Sequence, residues 1–74
     1  MKLVNRDMTR ESIQVFVSEH QIYAQIWSRT NNKWSVDEYF KAFSFEVDSE
    51  LIESSIREIK RLWGLKAPKI IVIK

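Results

Sequence analysis

The sequence predicts an α+β fold, in which a small antiparallel sheet packs on one long amphipathic helix. Apolar and polar side chains alternate over residues 12–28, as they do in half-buried strands. Apolar side chains recur with helical period over residues 49–63. The chain has 74 residues, enough for one domain but few for a core that folds unaided. We therefore expect a single domain over residues 1–74, with room for a loosely ordered N-terminal arm at residues 1–10.

Two neighbouring runs near the start of the chain are predicted to form a β-hairpin. Residues 12–18 and 21–28 are rich in β-branched and aromatic types, which favour strands. Folded about Glu19 and His20, they place like side chains opposite one another, as cross-strand pairing requires. Residues 29–33 then read as a turn. The predicted pairs are Val17–Ile22, Val15–Ala24 and Ile13–Ile26 on one face, and Phe16–Tyr23 and Gln14–Gln25 on the other.

The next segment is compatible with a helix or a strand. Ser35 and Glu38 have the spacing of a capping box, which favours a short helix at 36–42 followed by a strand at 43–47. The alternative is an extended strand, one face of which carries Tyr39, Phe43, Phe45 and Val47. The sequence leaves both structures open for residues 34–42.

Residues 49–63 give the strongest helical pattern in the chain. Asp48 or Ser49 can cap its start, because both side chains accept hydrogen bonds from backbone N–H groups. Gly64 can adopt the left-handed conformation that ends a helix, and Pro68 prevents its continuation. The apolar stripe of this helix consists of Ile52, Ile56, Ile59 and Trp63.

A final strand is predicted at residues 69–74. The run Ile70–Ile73 has no polar face. Such a strand is either covered on both sides or lies at the edge of a sheet in an oligomer.

The residue types that most catalytic and metal sites need are scarce. The chain has no cysteine, and His20 is its single histidine. Gly64 is its single glycine, which excludes glycine-rich phosphate loops. The acidic pairs at Asp37 and Glu38, and at Asp48 and Glu50, lie where helices are expected to begin, and acids are favoured there in any case. We therefore expect no enzyme activity, no catalytic residue, no cofactor and no metal.

Two groups of residues remain as interaction candidates. Aromatic side chains on one face of the hairpin could stack bases, or a helix at 36–43 or a partner subunit could cover them. Basic side chains near the end of the predicted helix could neutralise phosphates, or could form a solvated helix end. The first group is Phe16, Tyr23, Trp27 and Arg29, and the second is Arg57, Lys60, Arg61 and Lys66.

Charge is segregated along the chain, although the net charge is only +2. Residues 34–56 carry six acidic side chains and one lysine, whereas residues 57–74 carry six basic side chains and one glutamate. Such asymmetry can steer a partner. Three strands followed by one helix over residues 12–63 resemble the DNA-binding domains of the integrase-arm type. That resemblance implies nucleic-acid binding but assigns no residue, and residues 35–41 depart from its compact pattern.

These observations favour a small non-enzymatic module that binds another protein, as a regulator or an inhibitor does. Nucleic-acid binding through the aromatic face and the basic cluster is the alternative, and a structural homodimer is a third interpretation. No apolar run is long enough for a membrane span or a signal peptide. The lack of cysteine fits a reducing compartment, so we expect a cytoplasmic protein without a membrane partner.

Overall fold

A four-stranded mixed sheet and one helix make up the computed structural model, which describes residues 10–74. The predicted α+β class is confirmed. Of the predicted arm at residues 1–10, all but Arg10 lies outside the described residues. The elements, in chain order, are β1 (Ser12–Val17), β2 (Gln21–Thr30), β3 (Lys33–Ala42), α1 (Ser49–Trp63) and β4 (Lys69–Ile73).

The strands lie in the order β3-β2-β1-β4. β2 is antiparallel to both of its neighbours, whereas β4 runs parallel to β1. A parallel pair needs a crossover connection, and α1 is part of it. β3 and β4 are therefore the two edge strands of the sheet formed by residues 10–74.

The hairpin of β1 and β2 has the predicted register. Every predicted pair, from Val17–Ile22 to Ile13–Ile26, is a pair of directly opposite residues. The turn is closed by a 2.9 Å hydrogen bond from Ser18 N to Gln21 O. One set of alternating side chains from this hairpin is fully buried: Ile13, Val15, Ile22, Ala24 and Ile26.

The short helix predicted at 36–42 is wrong, because those residues lie within β3. The ten residues of β3 pair with β2 over its whole length. Asn31 and Asn32 form the two-residue connection, and both have positive φ, 54° and 64°. Those angles fit a type I′ turn, in which asparagine is favoured and the strands keep their natural twist. The capping box of Ser35 is a local preference only, and a full ladder of backbone hydrogen bonds outweighs it.

The strand predicted at 43–47 is also wrong, because these residues form an irregular segment that crosses the β1–β2 turn. Its backbone is held by hydrogen bonds from Phe43 N to His20 O, 2.8 Å, and from Val47 N to Glu19 O, 2.9 Å. Phe43 and Val47 pack against the buried core.

Both ends of α1 are capped as the sequence predicts. Asp48 is the N-cap, because its Oδ1 accepts a 2.9 Å hydrogen bond from Leu51 N. Gly64 follows the helix with φ 66°. Leu65 N donates to Lys60 O at 2.9 Å, which closes the last turn in a Schellman motif. No helix in the described part of the chain is long and apolar enough to cross a lipid bilayer.

The core lies between α1 and one face of the sheet. Ile52, Ile59 and Leu65 belong to the same buried cluster as the inward side chains of β1 and β2. Since strand side chains alternate, the remaining side chains of the sheet point away from α1. We call that second surface the open face, because no helix or strand among residues 10–74 packs on it.

Candidate interaction surfaces

The open face is built by alternate residues of all four strands. The cross-strand pairs assign its members, since directly opposite residues point to the same side of a sheet. β1 contributes Ser12, Gln14 and Phe16; β2 contributes Gln21, Tyr23, Gln25, Trp27 and Arg29; β3 contributes Trp34, Val36, Glu38, Phe40 and Ala42; β4 contributes Lys69, Ile71 and Ile73.

Four apolar side chains form a continuous row across this face. Phe40 lies opposite Tyr23, Tyr23 opposite Phe16, and Phe16 opposite Ile73. The rings of Phe16 and Tyr23 are in contact, with centroids 5.8 Å apart and a tilt of 37°. The two ends of the row are exposed, Phe40 by 58% and Ile73 by 41%. We call these four residues the apolar row.

A polar row runs beside the apolar row. Glu38, Gln25 and Gln14 lie opposite one another on β3, β2 and β1. The Tyr23 hydroxyl donates a 3.0 Å hydrogen bond to Glu38 Oε2, and Gln25 Nε2 donates to Tyr23 Oη at 3.4 Å. These bonds hold the Tyr23 ring, so the centre of the open face has a fixed shape and hydrogen-bonding groups beside it.

The end of the open face near the β2–β3 turn carries two indoles and a guanidinium. The Arg29 guanidinium lies 5.8 Å from the centre of the Trp34 ring, within the range of a cation–π interaction. Arg29 Nη2 also donates to Asn32 Oδ1 at 3.3 Å. Trp27 lies beside Val36 in the next row of the same surface. The arginine is thus partly occupied within its own hairpin.

Sequence reasoning placed Phe16, Tyr23, Trp27 and Arg29 on one surface, and the structure brings them together there. Trp34, Val36 and Phe40 of the third strand were missed, since the sequence leaves residues 34–42 open between a helix and a strand. The signal was present: two consecutive asparagines between alternating runs can form a two-residue hairpin turn.

The basic candidates lie on the other layer of the molecule. Arg57, Lys60 and Arg61 belong to α1 and line a shallow depression together with Glu58. Lys66 is exposed in the connection from α1 to β4. The sheet separates the α1 residues from the open face. The structure therefore does not bring the aromatic and basic candidates together into one surface.

A charged cluster joins α1 to β3 on the helix side of the sheet. Glu58 Oε1 accepts hydrogen bonds from Tyr39 Oη at 2.7 Å and from Lys41 Nζ at 3.3 Å. These two bonds lower the pKa of Glu58. Burial, and then the bond to Glu58, raise the pKa of Tyr39, and the bond to Glu58 raises the pKa of Lys41. Each pKa shift favours the protonation state in which these hydrogen bonds form. The cluster therefore stabilises the contact between α1 and β3.

The other polar residues considered for chemistry have structural partners. The exposed His20 donates from Nδ1 to the carbonyl oxygen of Phe45 at 3.1 Å. Asp37 accepts from the Trp63 indole at 2.9 Å. Asp48 caps α1. Within residues 10–74 no group of three or more histidine, cysteine, aspartate or glutamate side chains is placed to hold a metal ion.

Comparison with known proteins does not assign the chain to a family: no family model, no curated protein and no solved structure matches it. The geometry of its surfaces is therefore the basis for any functional proposal.

Proposed function

We propose that this chain is a small non-enzymatic module that binds another protein through its open face. We infer that it acts by binding alone: the bound module blocks or organises its partner, as a regulator or an inhibitor does. The cytoplasm is the location we expect for it.

The observation that carries the proposal is the apolar row on a sheet face that no helix or strand of residues 10–74 covers. Protein interfaces are enriched in aromatic residues, and a few such residues near the centre supply most of the binding energy. Phe40 is 58% exposed although it stands next to other aromatic rings. Its neighbour Tyr23 is fixed by hydrogen bonds, so little side-chain entropy would be lost on binding.

The charges on the open face favour a protein over a nucleic acid. Its three charged residues are Arg29, Glu38 and Lys69. Proteins that stack bases also need cations along the path of the phosphates. Here the carboxylate of Glu38 stands beside Tyr23 and would repel a phosphate, while the basic side chains of α1 lie on the opposite layer. The fitting partner presents an apolar ridge, with polar groups that can meet Gln14 and Gln25.

Affinity capture with the full chain tests the proposal when it is paired with matched variants. Phe40→Ala and Leu62→Ala are well matched, because both side chains are 58% exposed and lie on opposite layers. We expect a captured protein that survives nuclease treatment, is lost with Phe40→Ala and is retained with Leu62→Ala. The purified partner should then bind about tenfold or more weakly to Phe40→Ala and to Trp27→Ala. Equal capture by all variants would contradict the use of the open face.

Nucleic-acid binding is the competing outcome, and fluorescence anisotropy with mixed-sequence oligonucleotides measures it. We expect weak binding at physiological salt. Sub-micromolar binding with a log–log salt slope of roughly −0.7 to −0.9 per phosphate contacted would overturn the proposal if Lys60→Glu or Trp27→Ala abolishes it.

A further inference from the structure

Within residues 10–74, β4 leaves one edge of the sheet unpaired, and that edge is apolar. Among these residues β4 pairs with β1 on one side only, at the end of the strand order. Four of its five residues are isoleucine or valine. Ile70 and Val72 are each 39% exposed although they point to the helix side of the sheet. An edge strand that is apolar on both faces is a template for another strand.

The hydrogen bonds to β1 determine which backbone groups of β4 are free. Lys69 N donates to Glu11 O at 2.8 Å. The N–H and C=O groups of one strand residue point to the same side, and the side alternates along the strand. Lys69, Ile71 and Ile73 therefore face β1, while Ile70 and Val72 direct their N–H and C=O groups outward.

We propose that a second copy of this chain pairs its β4 with this edge, antiparallel, about a two-fold axis at Ile71. In that register Ile70 lies opposite Val72 of the second copy, and the reverse pair repeats the contact. Both are hydrogen-bonded pairs. In each copy the outward N–H and C=O groups of Ile70 and Val72 are therefore all hydrogen-bonded. Ile71 then meets its own copy in a non-hydrogen-bonded pair, where side chains are closest.

Neighbouring registers fit less well. Only shifts by two residues keep the outward residues opposite each other. One such shift puts Val72 opposite Pro68, which has no N–H to donate. The opposite shift puts Lys74 opposite Ile70 and so places a charge among apolar side chains. The proposed register keeps apolar residues together on both faces.

The other edge of the sheet is unsuited to this pairing. β3 carries four charged residues among its ten, which discourages strand addition. They are Lys33, Asp37, Glu38 and Lys41. The self-complementary edge is therefore β4, and this inference does not depend on what binds the open face.

The assembly would be one eight-stranded sheet. A two-fold axis between antiparallel strands of one sheet is perpendicular to that sheet, so both helices lie on the same side. A five-residue strand pair buries less than the roughly 1,200 Å² of a standard stable interface. We therefore expect a dimer that forms at micromolar concentration.

Sedimentation of the full chain across a micromolar concentration series tests the proposal. Ile71→Lys places like charges directly opposite each other and should weaken association by about tenfold or more. Phe40→Lys is the matched control on the far edge strand, and it should not change association. Because residue 71 meets itself, a mixture of Ile71→Lys and Ile71→Glu should associate again as a heterodimer. Circular dichroism confirms that each variant is folded.

A single cysteine supplies an independent measurement, since the chain has none of its own. Residues in a non-hydrogen-bonded antiparallel pair have Cα atoms about 4.5 Å apart, which a disulfide can span. Ile71→Cys should therefore form a disulfide-linked dimer on mild oxidation much faster than Phe40→Cys. A monomer at every concentration would overturn the proposal. So would a dimer that is insensitive to Ile71→Lys, or one in which the charge-swapped mixture stays apart. A free edge that binds only extended peptides from other proteins would give the monomer result.

Discussion

The indole Nε1 of Trp63 donates a 2.9 Å hydrogen bond to Oδ2 of Asp37. This bond ties the last residue of α1 to the middle of the edge strand β3. Together with the Tyr39–Glu58 bond it gives β3 a connection to the helix in addition to its ladder with β2. The orientation of the open face thus depends on contacts made on the opposite side of the sheet.

Trp63→Phe should lower the free energy of unfolding by about 0.5–1.5 kcal/mol through the lost hydrogen bond, because phenylalanine has no N–H donor. Its smaller ring also loses part of the packing of Trp63 against the core. Asp37→Ala should cost a similar amount, and the double variant should cost less than the sum, because both changes remove one bond. Urea unfolding followed by circular dichroism provides the four values. Strict additivity would show that the bond contributes nothing in solution.

Ile59→Asp should unfold the domain at room temperature. Ile59 is fully buried in the core cluster. The free-energy cost of burying an unpaired carboxylate there exceeds the few kcal/mol of stability that a domain of this size has. Ile56→Asp should be milder, because Ile56 is only partly buried. Leu62→Asp, at a position of the same helix that is 58% exposed, is the control. A normal thermal melt for Ile59→Asp would contradict the packing of α1 on the sheet.

Glu58 should make stability depend on acidic pH. Hydrogen bonds from Tyr39 and Lys41 hold its pKa below the ordinary value of 4.5. Because the folded pKa is the lower one, the contribution is complete above that ordinary value and is lost as the pH falls through the folded pKa. The difference in unfolding free energy between the wild type and Glu58→Gln should be constant near neutral pH and should shrink in acid.

Urea titrations of both proteins at several acidic pH values provide this comparison. Glu53→Gln, at an exposed position of the same helix, is the matched control. A wild-type advantage that stays constant down to the strongest acid in which the protein folds would contradict the role given to Glu58.

Gly64→Ala should destabilise the domain by about 1–2 kcal/mol, because an L-residue with a Cβ is strained in the left-handed region. Gly64 has φ 66°, and no heavy atom lies within 4 Å of the position that a Cβ would occupy. The cost is therefore conformational rather than steric. Gly64→Asn should cost less, since asparagine tolerates this conformation. Thermal melts of the three proteins decide, and equal melting temperatures would contradict the cap.

The hairpin and α1 were predictable because their signals are local and mutually consistent. Val17 and Ile22 start a register in which every later pair matches, so one assignment determines the rest. Asp48 and Gly64 define the helix ends through their own side-chain and backbone preferences. The parallel pairing of β4 with β1 joins residues far apart in the chain, and no local pattern specifies it.

The third strand could not be predicted from its own residues alone. Val36, Tyr39 and Phe40 suit a helical face as well as a strand, and Ser35 adds a genuine capping signal. Pairing with β2 determines that this segment is a strand, because all ten residues of β3 pair with β2 across a two-asparagine turn. The predicted interaction site was incomplete for the same reason, since its most exposed aromatic residue, Phe40, belongs to that strand.

The parallel β1–β4 ladder has a consequence for how the chain folds. The three antiparallel strands are joined by short turns and can pair early. The β1–β4 pair, which begins with Ser12 opposite Lys69, can form only later. Pairs so distant in sequence close slowly. During folding β1 therefore has an unpaired edge until β4 joins it. Until then the partly folded sheet exposes the edge of β1, and aggregation should be greatest in that interval.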